Sequence, residues 1–313
     1  MELSVLIFKD LVSKFIVAAV GYAAIRFGIL KSGDNKIIAN MLIYFFAPCA
    51  LFGTFSAEFD KSLLFGFAAT AVMTIAVLLL FSIIGKLLHL TVKADETFQA
   101  SLIFSNNGSF TISLVDTLMG SEALLYLGAY IIVHVVYFWT YGFKLLSGQP
   151  KIKIRNLLNP NIIAAILGLT VFLARIHLPD IVSEAISSMG SMNSPLVMFM
   201  IGMSLANCDL KKVLRQRKVW ILSLARMIAM PLIIVLILAF SGIGSLIPEL
   251  YMPILIVIIA ASGPLANNVL EVTLLNPKTD EAKIGVTTSV CTLTTLMCIV
   301  TIPVMIMLYQ ALC

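Results

Sequence analysis

Two clusters of small and amide residues interrupt apolar stretches of this chain. The first consists of Ser105, Asn106, Asn107, Gly108 and Ser109, and the second of Ser262, Gly263, Pro264, Asn267 and Asn268. Such residues hydrogen-bond to their own backbone and disfavour helix. A helix broken inside a bilayer exposes N–H groups at the start of its second half, which carries about +0.5 charge. These ends can hold a carboxylate, so both clusters are predicted to bind an organic anion.

Local sequence suggests where the helices resume after each cluster. Gly263 followed by Pro264 is a favourable helix start, because proline lacks only an N–H that the first turn leaves unpaired. At the first cluster, Asn107 or Ser109 is predicted to cap the resumed helix. The alternative is that both clusters serve close helix packing, as small and amide residues often do. Two interruptions in corresponding places of two halves favour a transporter site instead.

Four other polar residues lie within apolar stretches. Asp116 and Glu271 stand at equal offsets after Gly108 and Gly263, which suggests a proton or cation site. The alternative is that each acid reaches water near a helix end. Arg226 could pair with the substrate or an acid, or extend to the membrane surface. His134 could titrate near neutral pH, or make a structural hydrogen bond, the alternative that we favour.

Composition predicts an all-helical integral membrane protein. The 313 residues are 60% hydrophobic and 12% charged, whereas soluble domains average roughly a quarter charged. No polar block is long enough for a soluble domain, so the net charge of +5 does not indicate a nucleic-acid partner. The predicted membrane segments are 3–27, 37–56, 63–88, 97–119, 122–146, 158–176, 182–206, 216–241, 249–274 and 282–310.

A polar, basic loop divides these ten segments into two sets of five. We predict a first repeat at 1–148, a linker at 149–157 and a second repeat at 158–313. Pro48 in segment 2 corresponds to Pro195 in segment 7, and the clusters interrupt segments 4 and 9. Because five is odd, the second repeat must enter the membrane in the opposite orientation, which is an inverted repeat.

Basic residues predict the orientation in the cell membrane. With both termini outside and the loop 147–157 in the cytoplasm, most of the 21 lysines and arginines lie on the cytoplasmic side. The residues outside are Lys9, Lys14, Lys61 and Arg175.

With the segments placed, the chain resembles the auxin efflux carrier family, including its bacterial malate-permease-like members. The similarity spans essentially the whole chain and is most specific at 105–114 and 119–124, where the family pattern is roughly Asn-Thr-Gly-Phe-x-Gly-x-Pro and then Gly-x-x-Ala-Leu. Further similarity lies at 159–163, 201–205 and 261–264. The resemblance implies ten helices in two inverted repeats, whose broken fourth helices cross near a site for carboxylates. Thr111 and Ser113 replace the family's glycine and proline, so a proline-enforced kink is missing from segment 4.

The predicted function is secondary transport of small organic anions, such as mono- or dicarboxylates. Its partners are the anion and the lipid bilayer, and coupling to protons or sodium and a homodimer are both compatible with the pattern. One alternative is a cation-coupled symporter of the bile-acid type, and another is a non-transporting receptor. A membrane enzyme is disfavoured, because the chain carries no HExxH or GxSxG motif and no metal-ligand spacing or cofactor motif.

Overall fold

The computed structural model describes residues 2–55, 60–92, 95–148, 159–206, 215–275 and 281–313, and these are helical apart from turns, loops and one isolated β-bridge. The predicted linker 149–157 lies outside the described residues. Within the described ranges, four helical stretches are long and apolar enough to cross a membrane: Lys61–Thr91, Met119–Ser147, Arg217–Phe240 and Gly285–Leu312. Shorter apolar helices cover Tyr44–Gly53, Pro160–Leu173 and Pro248–Ala261. The ten-span inverted repeat stays a prediction.

The described residues of the first half form seven α-helices. They are α1 (Glu2–Arg26), α2 (Asn35–Met41), α3 (Ala47–Gly53), α4 (Lys61–Val92), α5 (Glu96–Ile103), α6 (Ile112–Tyr137) and α7 (Phe143–Ser147). π-Helical turns at Leu42–Phe46, Asn107–Thr111 and Phe138–Gly142 precede α3, α6 and α7. Gly120 kinks α6 with φ 80°, a conformation that favours glycine. This kink lies between predicted segments 4 and 5.

The second half contains nine described α-helices. They are α8 (Pro160–Leu173), α9 (Asp180–Ser191), α10 (Asn193–Ala206), α11 (Arg217–Leu224), α12 (Met230–Phe240), α13 (Ile243–Leu246), α14 (Tyr251–Ala261), α15 (Asn267–Leu275) and α16 (Glu281–Leu312). A π-helical turn at Ala225–Ala229 joins α11 to α12, and a 3₁₀ turn at Pro248–Leu250 leads into α14.

The helices pack as two groups. The wall bundle contains α1–α3 and α8–α10, and the core bundle contains α4–α7 and α11–α16. In the wall bundle α1 runs along α10 at very close range. A Cβ at Gly202 would clash with the Ala18 carbonyl oxygen, and one at Gly21 would clash with that of Phe199. Small residues permit this approach, which is how helices associate tightly in lipid.

The core bundle is built around α14, which is buried from Pro253 to Ala261. Helices α4, α6, α12 and α16 surround it. The two bundles touch where α1 meets α6 and α16, where α8 meets α6, and where α10 meets the turn Asn107–Thr111. The last of these contacts lies at the first predicted cluster.

Candidate functional site

The first cluster interrupts the helix, as its sequence predicts. Helix α5 ends at Ile103, residues 104–106 are not helical, and helix resumes in the turn Asn107–Thr111. Phe104 is extended, with φ −99° and ψ 123°. We call residues 104–106 the first break.

The second cluster also interrupts a helix, but the predicted restart is wrong. Helix α14 ends at Ala261 and α15 begins at Asn267, so Gly263 and Pro264 do not form its first turn. We call residues 262–266 the second break. Pro264 instead lies beside the first break, where its carbonyl oxygen is used as an acceptor.

The two breaks pair with each other through their backbones. The Asn106 N–H donates to the Pro264 carbonyl at 2.8 Å, and the Ala266 N–H donates to the Phe104 carbonyl at 3.1 Å. These bonds flank an antiparallel bridge between Ser105 and Leu265. Non-helical backbone at membrane depth must find partners inside the protein. Each break therefore supplies hydrogen-bonding groups that the other needs.

Side chains also hold the first break. The Asn107 Nδ2 donates to Ser105 Oγ at 2.9 Å, and Thr111 Oγ1 donates to Asn107 Oδ1 at 3.1 Å. The predicted cap at Asn107 is wrong, because the capping position is Asn106 and has no side-chain cap bond. The side chain of Ser109 lies outside the described residues. The Thr111 hydroxyl thus makes a side-chain hydrogen bond to Asn107 that a glycine at this position could not make.

Two aromatic residues of α6 complete the surroundings of Ser105. The Ser105 N–H donates to Nε2 of buried His134 at 3.3 Å, so that nitrogen carries no proton in this arrangement. The Tyr130 hydroxyl interacts with the side chains of Ser105 and Asn107. His134 therefore makes a hydrogen bond of the kind that the sequence favoured, and its possible coupling role stays a prediction.

The second break depends on groups from α16. The Leu265 N–H donates to Thr294 Oγ1 at 3.2 Å, and Cys291 Sγ donates to Asn267 Oδ1 at 3.3 Å. The hydroxyl of Thr294 in turn donates to the Val290 carbonyl at 2.7 Å. Sequence reasoning did not identify these residues, because threonines are common in packed membrane helices.

Arg226 has a different environment from either predicted one. Its fully buried guanidinium donates from Nη1 to the Leu102 carbonyl and from Nη2 to the Gly263 carbonyl, both at 3.0 Å. Both acceptors lie where the first halves of the broken helices end. Among the described residues its hydrogen-bond partners are backbone oxygens, and it neither extends to the surface nor lines the cavity.

A cavity of about 90 Å³ lies between the bundles, beside the paired breaks. Its polar lining comes from both of the clusters and from two further residues: Ser105, Asn106, Asn107, Gly108, His134, Asn161, Asn267 and Asn268. The wall bundle closes the other side, mainly with Leu42, Leu51, Val197 and Met200. Ser262, Gly263 and Pro264, predicted to bind substrate, do not line it. The carbonyls of Gly263 and Pro264 instead accept hydrogen bonds from Arg226 and from the first break.

The resumed helices start at this cavity. Asn107 and Gly108 begin one, and Asn267 and Asn268 begin the other, which is nine residues long. Their first N–H groups have no partner within the helix, so partial positive charge faces the cavity. No carboxylate is among the described residues that line it. The side chains of Asp116 and Glu271 lie outside the described residues, so their proposed coupling role stays a prediction.

Two asparagines of the wall bundle were missed by sequence reasoning. Asn161, in the first turn of α8, lines the cavity, and its Oδ1 is buried without a partner among the described residues. Asn193 starts α10 and donates Nδ2 to the Gly108 carbonyl at 3.0 Å, across the bundle boundary. A useful signal was that each is an amide within a predicted apolar segment, adjacent to a proline or separated from one by a single residue.

Comparisons with known proteins agree with a membrane transporter. An uncharacterized transporter of Methanocaldococcus jannaschii is 25% identical over 219 residues, which are 63% of this chain and 68% of that protein. An uncharacterized transporter of Schizosaccharomyces pombe is 22% identical over 161 residues, 44% of this chain and 36% of that protein. The sequence model of the family described as membrane transport protein matches residues 6–151 and 149–306. The chain therefore belongs to this auxin efflux carrier-like family of membrane transport proteins.

Proposed function

We propose that this protein is a secondary transporter of small organic anions, such as mono- or dicarboxylates, in the manner of a malate permease. The observation that carries the proposal is the pairing of two broken helices beside a cavity lined by the amides Asn106, Asn107, Asn267 and Asn268.

The chemistry of the cavity favours an anion. Amide N–H₂ groups and the first N–H groups of two helices are donors, and carboxylate oxygens are acceptors only. These groups carry partial charges, so an anion can be bound and also released, as transport requires. A cavity of about 90 Å³ has room for several water molecules. This size suits a small carboxylate better than a steroid, which disfavours the bile-acid alternative.

The position of the cavity favours transport over binding alone. One side belongs to the core bundle, which holds both breaks, and the other to the wall bundle. Movement of one bundle against the other would open the cavity to each side of the membrane in turn. We propose that this movement occurs within ten spans arranged as two inverted repeats, with both termini outside the cell membrane.

Flux in proteoliposomes tests the proposal. Purified protein is reconstituted, and uptake of labelled malate, succinate and lactate is measured with and without proton and sodium gradients. The double variant Asn107→Ala with Asn267→Ala removes one amide from each resumed helix and is expected to reduce uptake at least about tenfold, since hydrogen bonds to charged groups contribute about 1.5–3 kcal/mol each. Asn40→Ala is the matched control, because Asn40 is exposed in α2.

The outcomes distinguish an error in the proposed site from an error in the proposed function. Uptake by the wild type and by Asn40→Ala, with loss in the double variant, supports the proposal. Unchanged uptake in the double variant places the anion elsewhere. If the wild type binds a carboxylate but transports none, the receptor alternative replaces the transporter.

A further inference from the structure

Arg226 connects the two broken helices at a point that the cavity does not reach. It lies in the π-helical turn Ala225–Ala229, and its Nη1 and Nη2 each hold one carbonyl oxygen at 3.0 Å. Leu102 is in the last turn of α5, and Gly263 follows the end of α14. One side chain therefore joins the carboxyl ends of both first half-helices.

The electrostatics of these ends call for a cation. The carboxyl end of a helix carries about −0.5 charge, so two such ends together balance about one positive charge. A buried charge without compensation is strongly unfavourable. Here the compensation comes from backbone dipoles, because the described partners of Arg226 are carbonyls and not carboxylates. The guanidinium fork can reach two acceptors at fixed positions, whereas an ammonium is a single point charge.

The positive charge of Arg226 influences the cavity electrostatically, although its side chain does not line the cavity. It acts electrostatically on Tyr130 and on His134, and His134 lines the cavity. Electrostatic interactions act over greater distances in a low-dielectric interior than in water. A cation fixed behind the paired breaks therefore raises the potential where an anion would bind.

We propose that Arg226 is a positioning residue that fixes the crossing of the two broken helices and supplies the full positive charge that selects an anion without touching it. This inference rests on the proposed function. Arg226 then supplies a full positive charge from outside the residues that contact the substrate, while the asparagines and helix N-termini supply hydrogen bonds and partial charge.

Binding measurements on the purified full-length protein in nanodiscs test this inference. Malate, succinate and lactate are titrated, together with the uncharged amide of the acid that binds best. Arg226→Gln is expected to weaken binding of the acid about tenfold, as expected for one charge at moderate distance in the protein interior, while binding of the amide changes less than about twofold. Arg217→Gln is the control, because Arg217 is exposed at the start of α11.

Arg226→Lys gives a second readout that does not require the glutamine variant to fold. A lysine can lose its charge as pH rises, whereas an arginine stays protonated. The affinity of Arg226→Lys for the acid should therefore fall as pH rises, while that of the wild type should not. Its thermal stability should be lower than that of the wild type at every pH, because one ammonium cannot reproduce the two-pronged contact.

Each outcome decides one question. Equal loss of acid and amide binding in Arg226→Gln, or a flat pH profile in Arg226→Lys, makes Arg226 a structural residue only and overturns the inference. Unchanged acid binding in Arg226→Gln overturns it as well. If the wild type binds no carboxylate at all, the proposed function fails and this inference fails with it.

Discussion

The two breaks meet at one point, yet different groups hold them open. The second break contains Pro264, whose ring nitrogen cannot donate a hydrogen bond, and has side-chain partners in Thr294 and Arg226. The first break has no proline. It depends on bonds from Ser105 to His134, from Asn107 to Ser105, and from Thr111 to Asn107.

This difference shows how a helix can be interrupted without proline. Residues 105–109 disfavour helix but could continue as helix at a modest energetic cost, since serine and asparagine are only moderately unfavourable and glycine costs about 1 kcal/mol relative to alanine. The surrounding side chains remove that option by giving the backbone and amide groups better partners outside the helix. The first break is therefore specified by side-chain contacts without a proline, and the second by Pro264 together with contacts from Thr294 and Arg226. Substitutions should affect the two breaks unequally.

Removing the acceptor at His134 should have the largest effect on the first break. His134→Phe keeps an aromatic ring against Phe104 and Tyr130 but leaves the buried Ser105 N–H without its partner. An unsatisfied buried donor costs about 1–3 kcal/mol, so we expect a loss of about 2 kcal/mol in the free energy of unfolding. SDS-induced unfolding in mixed micelles measures it.

His134→Gln is the matched control, because its amide oxygen can accept a hydrogen bond. It should recover about half of the stability that His134→Phe loses. If the phenylalanine variant were as stable as the wild type, the first break would not depend on this bond, and the contrast between the breaks would disappear.

Two threonines allow the breaks to be compared by the same substitution. Thr294→Val leaves the backbone Leu265 N–H of the second break without its acceptor, whereas Thr111→Val removes a bond to Asn107, whose amide can turn to water in the cavity. We expect losses of about 1.5 kcal/mol for Thr294→Val and about 0.5 kcal/mol for Thr111→Val. The same unfolding assay measures both.

Transport should rank these two variants in the opposite order. Thr111→Val frees the side chain of a cavity asparagine, so its uptake of carboxylate should fall several-fold, while that of Thr294→Val should be closer to the wild type. A larger loss of uptake in Thr294→Val would mean that both threonines only support the fold.

The sequence predicts where the chain breaks better than how the breaks are joined. Asn, Gly, Ser and Pro in an apolar stretch disfavour helix through local physics, so residues 105–109 and 262–264 could be identified without coordinates. The restart at Asn267 could not, because Pro264 is drawn into a bridge with a partner distant in sequence. Local helix preference favoured Gly263 and Pro264, and tertiary pairing outweighed it.

The hydrogen-bond partners of Arg226 could not be predicted from the sequence either. Its acceptors at Leu102 and Gly263 are backbone atoms of apolar or small residues, and no residue type in the sequence marks a carbonyl as free. The apolar character of the segments, in contrast, follows from composition alone, and four helical stretches in the described part of the chain are long and apolar enough to cross a membrane. Burial and long-range hydrogen bonding therefore determine the pairing of the breaks and the contacts of Arg226, which the pattern of residue types does not predict.

The first half-helices also differ at their starts, which predicts a pH dependence for one of them. Asp95 caps α5 by accepting from the Phe98 N–H at 2.7 Å and pairs with Lys218 at 3.0 Å, whereas the capping position of α14, Leu250, has no side-chain cap. Burial alone would raise the pKa of Asp95, but the Phe98 N–H, Lys218 and Lys283 outweigh it and hold that pKa below its usual value. The stabilisation is therefore present above the unfolded pKa of about 4 and lost as pH falls through the lower folded pKa.

Asp95→Asn should keep the cap and lose this charge. We expect a decrease of about 1 kcal/mol in the free energy of unfolding at neutral pH, and a smaller difference from the wild type as pH falls below about 4. Asp60→Asn is the control, because Asp60 accepts from the Ser62 N–H at the start of α4 but is exposed to solvent. A difference from the wild type that does not change with pH would assign the effect of Asp95 to its shape instead of its charge.

Pro264→Ala should have the smallest effect, and it tests the contrast most directly. The bridge uses the carbonyl of residue 264 and not its nitrogen, so alanine can make the same bond to the Asn106 N–H. Proline restricts the conformational entropy of the unfolded chain, and alanine removes that restriction. We therefore expect a decrease of about 0.5 kcal/mol in the free energy of unfolding. Thr294, Arg226 and the first break still hold the neighbouring backbone in place.

If Pro264→Ala instead cost more than about 2 kcal/mol in the unfolding assay, a value well beyond the entropic effect, the proline would be the element that keeps both breaks open. The first break would then depend on the second, and not on its own side chains.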